Sequence, residues 1–238
     1  MCSSSRSEGG FFMFQSLYEV VVNDWGETTY VPTTLGNILL VVVICLFLLG
    51  AMMFAKGKNK EKKLSVKQLS YCAVSIALGT LLSLIKMIDF PTGGSATLLS
   101  MLAICLPGYW FGLGAGIMTG VAHGVLQLLI GPYVLYPTQL VVDYILAFGA
   151  LGLSGLFAGQ KWGLQKGYVA AILGRYVFAV LSGWIFFGMY AWEGWGALSY
   201  SLVYNGIYIF TEAAITLVIL FLPPVRKGLA YLKKLACE

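Results

Sequence analysis

The sequence predicts an all-α membrane protein with a six-helix core preceded by one extra N-terminal transmembrane helix. Of its 238 residues, 59% are hydrophobic and only 11% are charged, whereas soluble domains carry about a quarter charged residues. Apolar stretches of bilayer-crossing length recur about seven times, at roughly 17–25 residues each. Between Asp89 and Asp143 the chain has no Asp, Glu, Lys or Arg. A soluble globular domain is therefore excluded.

The N-terminal part divides into three segments. Residues 1–35 are polar at first and then mixed. Residues 36–55 form an apolar membrane helix that we expect to be retained, because no small-residue cleavage site follows it. Residues 56–67 form a basic linker, which the positive-inside rule places in the cytoplasm. Residues 1–35 are therefore expected outside the cell.

The substrate-binding membrane domain is predicted at residues 68–225, followed by a basic cytoplasmic tail at 226–238. Its six spans are expected at 68–85, 96–111, 113–130, 139–158, 168–187 and 203–222. The chain enters the first of these spans from the cytoplasm, and an even number of spans returns it to the same side. The C-terminus is therefore expected in the cytoplasm. Of the 15 Lys and Arg residues, all but Arg6, Lys86 and Arg175 fall in segments assigned to that side.

Several classes of function lack their motifs. The five cysteines form no Cys-x-x-Cys pair or Cys/His cluster, so neither a zinc site nor a disulfide framework is predicted. The chain has no G-x-x-x-x-G-K-[ST] loop for nucleotide phosphates, so any transport driven by ATP would need partner subunits. No nucleophile–base pair is visible, so the chain is predicted not to be an enzyme. The basic charge follows the topology and indicates no nucleic-acid binding.

Small residues recur at helical spacing in two of the core spans. The third span carries a glycine stripe of Gly112, Gly116, Gly120 and Gly124, and the first span carries Ala73 and Ala77. Such patterns let a neighbouring backbone approach closely. We interpret the glycine stripe as plain helix packing.

Four ionisable residues fall within predicted spans: His123, Asp143, Arg175 and Glu212. Such groups usually face a cavity or one another. His123 is interpreted as a packing residue and Glu212 as mainly structural. An ion pair between Asp143 and Arg175 is compatible with the sequence but is not fixed by the spacing.

Asp143 differs from the other three ionisable residues because aromatic and amide side chains are expected close to it. Tyr133 and Tyr144 lie near it in sequence, and Tyr200 and Asn205 are expected at the same outer depth. A carboxylate among aromatic faces suits a delocalised organic cation, and an Asn amide can pair with the edge of a heteroaromatic ring. The residues alone therefore predict a site for a small cationic aromatic ligand, open to the outside.

Over about residues 65–230 the chain resembles the thiamine-specific substrate-binding (S) components of energy-coupling factor (ECF) transporters. The motifs that carry the resemblance are Pro-Thr-Gly-Gly-Ser at 91–95, Gly-Pro-Tyr-Val-Leu-Tyr-Pro-Thr-Gln at 131–139, Asp143-Tyr144, Tyr190-Ala191-Trp192, Gly194-Trp195-Gly196 and Tyr-Ser-Leu-Val-Tyr-Asn-Gly at 200–206. The resemblance implies a six-helix core with both ends in the cytoplasm and a thiamine site near the outer surface.

The resemblance also implies which residues bind the substrate. They are Tyr133, Asp143, Tyr144, Arg175, Phe187, Tyr200 and Asn205. In this comparison Asp143 lies near the thiazolium cation, and Tyr200 and Asn205 contact the pyrimidine. The chain departs from the family pattern at three of these positions. Asp143 replaces the longer Glu of the family, Arg175 replaces the Lys of some relatives, and Phe187 replaces the Trp of a relative. Ala179 stands where a relative has His.

Partners follow from the same resemblance. Ala73-Val-Ser-Ile-Ala77 matches an Ala-x-x-x-Ala pattern that faces a transmembrane coupling subunit, and two cytoplasmic ATPases complete the module. The expected protein is thus a multi-pass subunit in the plasma membrane that delivers thiamine by reorienting in the bilayer, with ATP used by its partners and no cofactor of its own. The main alternative is an autonomous ion-coupled transporter with Glu212 or His123 as its proton site. An intramembrane enzyme has the weakest support.

Overall fold

The computed structural model describes residues 17–22, 28–36, 38–39, 42, 65–90, 94–130 and 135–238. In this part of the chain the expected helical membrane fold is confirmed, with 5 helices long and apolar enough to cross a bilayer. The helices are α1 (Val66–Ser83), α2 (Ser100–Phe111), α3 (Leu113–Ile130), α4 (137–157), α5 (Gly163–Phe186), α6 (Ala197–Phe221) and α7 (Pro223–Cys237). Tyr133, most of the expected extra helix at 36–55 and nearly all of the linker lie outside the described residues.

The outward faces of the helices are apolar. Val66 is 83% exposed, Leu129 79% and Val218 66%. Isolated exposed apolar side chains are common on soluble proteins, but a continuous apolar exterior of this kind is not. The exterior therefore suits the hydrocarbon of a bilayer.

Helix α2 is shorter than the predicted span at 96–111. Residues Ser95–Thr97 form strand β4, which pairs antiparallel with β3 (Lys86–Asp89). Leu99, with φ of 60°, then turns the chain into the helix. Twelve helical residues rise about 18 Å, short of a hydrocarbon core of about 30 Å. Since Ser100 and Met101 are buried, the N-terminus of α2 lies inside the protein.

Helix α4 changes its winding along its length. It begins as an α-helix at Pro137–Leu140, widens to a π-helix at Val141–Leu146, returns to α at Ala147–Gly149 and tightens to a 3-10 helix at Ala150–Phe157. The narrow last segment packs against α2, α3 and α5. Helix α4 is consequently the central element of the bundle.

The glycine stripe of α3 allows close helix packing, as its spacing predicts, and the neighbour is α4. A Cβ added at Gly116 would lie 2.9 Å from the Cα of Gly152. At Gly120 and Gly124 it would meet the carbonyl oxygens of Phe148 and Tyr144. Three of the four glycines therefore permit backbone contact. The fourth, Gly112, has φ of 97° in the connection between α2 and α3.

Two further elements were not expected from the sequence. Strands β1 (Tyr18–Val22) and β2 (Thr28–Pro32) form an antiparallel hairpin, and β2 contacts α5 and the 3-10 turn Gly188–Tyr190. The basic tail is mostly the helix α7 (Pro223–Cys237), which packs against α6, α1 and α2. Its Lys233 ammonium lies 3.7 Å from the ring centroid of Tyr109 at the end of α2.

Candidate functional site

A cavity of about 440 Å³ lies among α3, α4, α5, α6 and the β3–β4 hairpin, at the N-terminus of α2. Ligand pockets for small organic molecules span roughly 300–1,000 Å³. Six of the seven predicted substrate-binding residues line it: Asp143, Tyr144, Arg175, Phe187, Tyr200 and Asn205. The seventh, Tyr133, lies outside the described residues. Ala179, which lies on the same helix as Arg175 and replaces the His of a relative, also lines the cavity.

Asp143 is held in position by its own helix. It lies in the π-helical turn of α4, a form of helix that often occurs at functional sites. The Gln139 amide nitrogen donates to Asp143 Oδ2 at 3.1 Å. The Gln139 oxygen accepts from the backbone N–H of Leu135 at 2.6 Å and of Tyr136 at 3.3 Å. Because that oxygen is occupied, the amide N–H is directed at Asp143.

Arg175 packs on an aromatic ring. Its guanidinium carbon lies 4.2 Å from the ring centroid of Phe148, a cation–π distance. No ion pair within 4.0 Å joins it to Asp143, although both residues are described. The cavity therefore contains a carboxylate and a guanidinium that are not paired with each other. Phe148 is a further site residue, which the sequence analysis did not identify.

Helix α6 lines the cavity with one face. The rings of Tyr200 and Tyr204 lie 5.3 Å apart and those of Tyr204 and Tyr208 lie 5.8 Å apart. Asn205 is buried between them; its oxygen accepts from the Tyr208 hydroxyl at 2.7 Å and its nitrogen donates to the Ser201 carbonyl at 2.9 Å. Tyr204 and Tyr208 were missed, although their four-residue spacing from Tyr200 is a usable signal.

The β3–β4 hairpin covers part of the same face. Phe90 packs edge-on against Tyr204, with 5.4 Å between ring centroids, and the Gly94 N–H donates to the Tyr204 hydroxyl at 3.0 Å. Lys86 also lines the cavity, and its ammonium lies 3.1 Å from Asp89. The hairpin thus brings polar and aromatic groups to the cavity from the junction of the first two predicted spans.

His123 has polar contacts on both ring nitrogens. Its Nδ1 lies 3.2 Å from the Thr80 hydroxyl and its Nε2 lies 3.2 Å from the Gln127 amide nitrogen. Its ring meets Phe148 edge-on, with 5.0 Å between centroids. The side chain is 1% exposed. These contacts agree with the packing role, and they also tie α1 to the wall of the cavity.

Ala73 and Ala77 lie elsewhere. Both are exposed on α1, whereas Cys72 and Ser75 on the opposite face are buried against the bundle. The surface around the two alanines is apolar, since Val74 and Leu78 are exposed beside them. This face is accessible to another membrane helix.

The chemistry of the cavity is that of a binding site. A carboxylate lies beside aromatic rings, which favours a delocalised cation. A buried amide and several tyrosine hydroxyls can donate and accept hydrogen bonds around a ring with nitrogen atoms. No group of three or more His, Cys, Asp or Glu side chains within the described ranges could hold a metal ion.

Comparisons with known proteins agree with this description. The model of the thiamine transporter protein family matches residues 69–231. The thiamine transporter ThiT of Bacillus subtilis (strain 168) is 35% identical over 187 residues, which cover 71% of this chain and 96% of that protein. A solved structure of ThiT from Listeria monocytogenes has a TM-score of 0.56 and 28% identity, covering 66% of this chain and 94% of that one. The chain belongs to the thiamine transporter protein family, whose members are transporters and not enzymes.

Proposed function

We propose that this chain binds thiamine in the cavity and serves as the substrate-binding subunit of an ATP-driven, ECF-type uptake system. The observation that carries the proposal is the convergence of Asp143, Arg175 and Asn205, from α4, α5 and α6, on one cavity of about 440 Å³. Membership of the thiamine transporter family supports thiamine as the ligand.

Thiamine joins a permanently cationic thiazolium ring to an aminopyrimidine ring. In the proposed complex the Asp143 carboxylate is the counter-ion of the thiazolium, with Tyr144 as an adjacent aromatic surface. Tyr200 and Asn205 contact the pyrimidine, whose ring nitrogens and amino group match an amide and a hydroxyl. Phe187 closes the apolar side. Tyr133, which precedes α4 in the sequence, contributes a further ring in this proposal.

The partners in the proposal are a transmembrane coupling subunit and two cytoplasmic ATPases. The coupling subunit docks on the α1 face at Ala73 and Ala77, which is exposed and apolar. In the proposed topology residues 1–35 are outside, 36–55 cross the membrane, 56–67 are a cytoplasmic linker, 68–225 bind substrate and 226–238 are cytoplasmic. The distribution of Lys and Arg supports this orientation.

The contacts of Glu212 count against the alternative of an ion-coupled carrier. Its two oxygens accept from two backbone N–H groups, of Thr97 and Met101, and from two hydroxyl groups. Both oxygens of this acid are thus occupied by fixed donors of β4 and α2, whereas the acid of a proton-coupled carrier must be open to a pathway for proton exchange.

Two measurements test the proposal. The purified full chain should quench its Trp fluorescence on titration with thiamine and show no such response to riboflavin or biotin. Vesicles that contain this chain alone should accumulate no thiamine, and co-reconstitution with a coupling subunit and ATPases should restore ATP-dependent uptake. Uptake by the chain alone that is lost in Glu212→Gln would replace the proposal with the ion-coupled alternative.

A further inference from the structure

Glu212 is the second acid that lines the cavity, and it has a different set of partners from Asp143. It lies on α6 with 3% of its surface exposed. Its Oε2 accepts from the Thr97 hydroxyl at 2.6 Å and the Thr97 N–H at 3.2 Å. Its Oε1 accepts from the Met101 N–H at 2.9 Å and the Ser100 hydroxyl at 3.2 Å. All these donors belong to β4 or the first residues of α2.

The start of α2 needs such a partner. The first four N–H groups of a helix have no acceptor within it, and Leu99, at the cap position, supplies no side-chain hydrogen bond. Since α2 begins inside the bundle, water cannot serve all of these groups, and an unpaired buried N–H costs about 1–3 kcal/mol. A carboxylate also interacts favourably with the positive end of the helix dipole.

We infer that Glu212 is a positioning residue: from α6 it caps the N-terminus of α2 and so fixes the floor of the cavity, while Asp143 alone supplies the counter-charge for the ligand. The inference rests on the proposed function, because it concerns how the thiamine site keeps its shape. It assigns different roles to two acids that line the same cavity.

The geometry explains why loss of this contact would reach the ligand. Thr97, Ser100, Met101 and Glu212 all line the cavity, so the hydrogen-bonded junction is itself a wall of the site. The same α6 face carries Tyr200, Tyr204 and Tyr208 above Glu212 at successive turns. Moving the start of α2 away from α6 would therefore change the depth of the cavity without changing the charge beside Asp143.

The test compares two ligands in the purified full chain: thiamine and an uncharged analogue whose thiazolium is replaced by a neutral ring. Glu212→Gln keeps the size but turns two acceptor positions into N–H donors that oppose Thr97. We expect the Kd values of both ligands to rise by the same factor, about tenfold, measured well below the unfolding midpoint of the variant. Thr211→Val is the matched control, because the Thr211 hydroxyl bonds to the Ile207 carbonyl of its own helix; its Kd values should equal those of the parent.

Amide hydrogen exchange supplies an independent readout. In ligand-free Glu212→Gln, the amides of Thr97 and Met101 should exchange faster than in the parent. If that variant does not fold, Thr97→Val removes one hydroxyl donor at nearly constant volume and should give a smaller loss that is again equal for both ligands.

Three results would overturn the inference: a larger loss for thiamine than for the neutral analogue, which would make Glu212 a counter-ion; unchanged affinities; or unchanged exchange at Thr97 and Met101. A lowered unfolding temperature with unchanged affinities would leave Glu212 a purely structural residue. Failure of the parent chain to bind thiamine would instead refute the proposed function.

Discussion

Replacing Asp143 with Asn is the most direct test of how the cavity holds a cation. The Gln139 oxygen is occupied by two backbone N–H groups, so its amide nitrogen remains directed at position 143. In Asp143→Asn the new carbonyl oxygen therefore accepts from Gln139, and the new NH₂ group faces the cavity. The cation would meet a donor where it now meets a carboxylate oxygen.

The expected magnitude follows from that reversal. Loss of a charge-assisted contact in a desolvated site costs about 1.5–3 kcal/mol, which corresponds to roughly a ten- to hundredfold rise in the Kd for thiamine. A neutral analogue should lose much less. The unfolding temperature should change little, because the hydrogen bond from Gln139 is retained.

Titration with fluorescence detection suits this measurement, since Trp192 packs edge-on against Tyr200 with 5.2 Å between ring centroids. Glu193→Gln is the control: it removes an exposed acid from the neighbouring loop and should leave the Kd unchanged. Equal affinities of parent and Asp143→Asn would refute the counter-ion role. An equal loss for the charged and the neutral ligand would refute it as well.

Three further predictions concern packing and partners. Gly124→Ala should lower the free energy of unfolding by about 1–3 kcal/mol, because the added Cβ would meet the backbone of α4. Thermal unfolding measures this loss, and Gly114→Ala, whose Cβ meets nothing within 4 Å, is the control that should leave stability unchanged. Gly183→Ala should weaken thiamine binding severalfold in titration, since its Cβ would lie 2.9 Å from the Asn205 amide nitrogen; parental affinity would show that Asn205 has room to move. Ala77→Leu should abolish ATP-dependent uptake in reconstituted vesicles yet leave the Kd unchanged, and normal uptake would place the coupling subunit on another face.

The helices could be predicted because their signal is local. Apolar runs located α1, α3 and α4 to within about two residues, whereas α5 and α6 begin earlier than the predicted spans, at Gly163 and Ala197. The four-residue spacing of glycines predicted that a neighbouring backbone approaches α3 closely, and the structure identifies that neighbour as α4. Periodicity on a single helix would also have added Tyr204 and Tyr208 to the site, because they follow Tyr200 at successive turns of α6.

Features set by distant contacts could not be predicted in this way. An apolar run begins at residue 96, but α2 begins at Ser100. There Glu212, more than a hundred residues away, accepts from the Ser100 hydroxyl and the Met101 N–H. The β3–β4 hairpin depends on pairing of Lys86 with Thr97, which no alternation in so short a segment reveals. The contact of Arg175 with Phe148 requires the packing of α5 against α4.

The π-helical turn of α4 makes the length of this helix as important as its composition. A π-turn is equivalent to one residue inserted into an α-helix, and each residue of an α-helix turns the chain by about 100°. Deleting a single residue between Val141 and Leu146 would restore regular winding, yet it would rotate Gln139 relative to Phe148. Relatives that lack the inserted residue would need a side chain other than this glutamine to orient their acid. A one-residue gap at this position in a pairwise alignment would therefore indicate a different binding site, even where every aligned residue is identical.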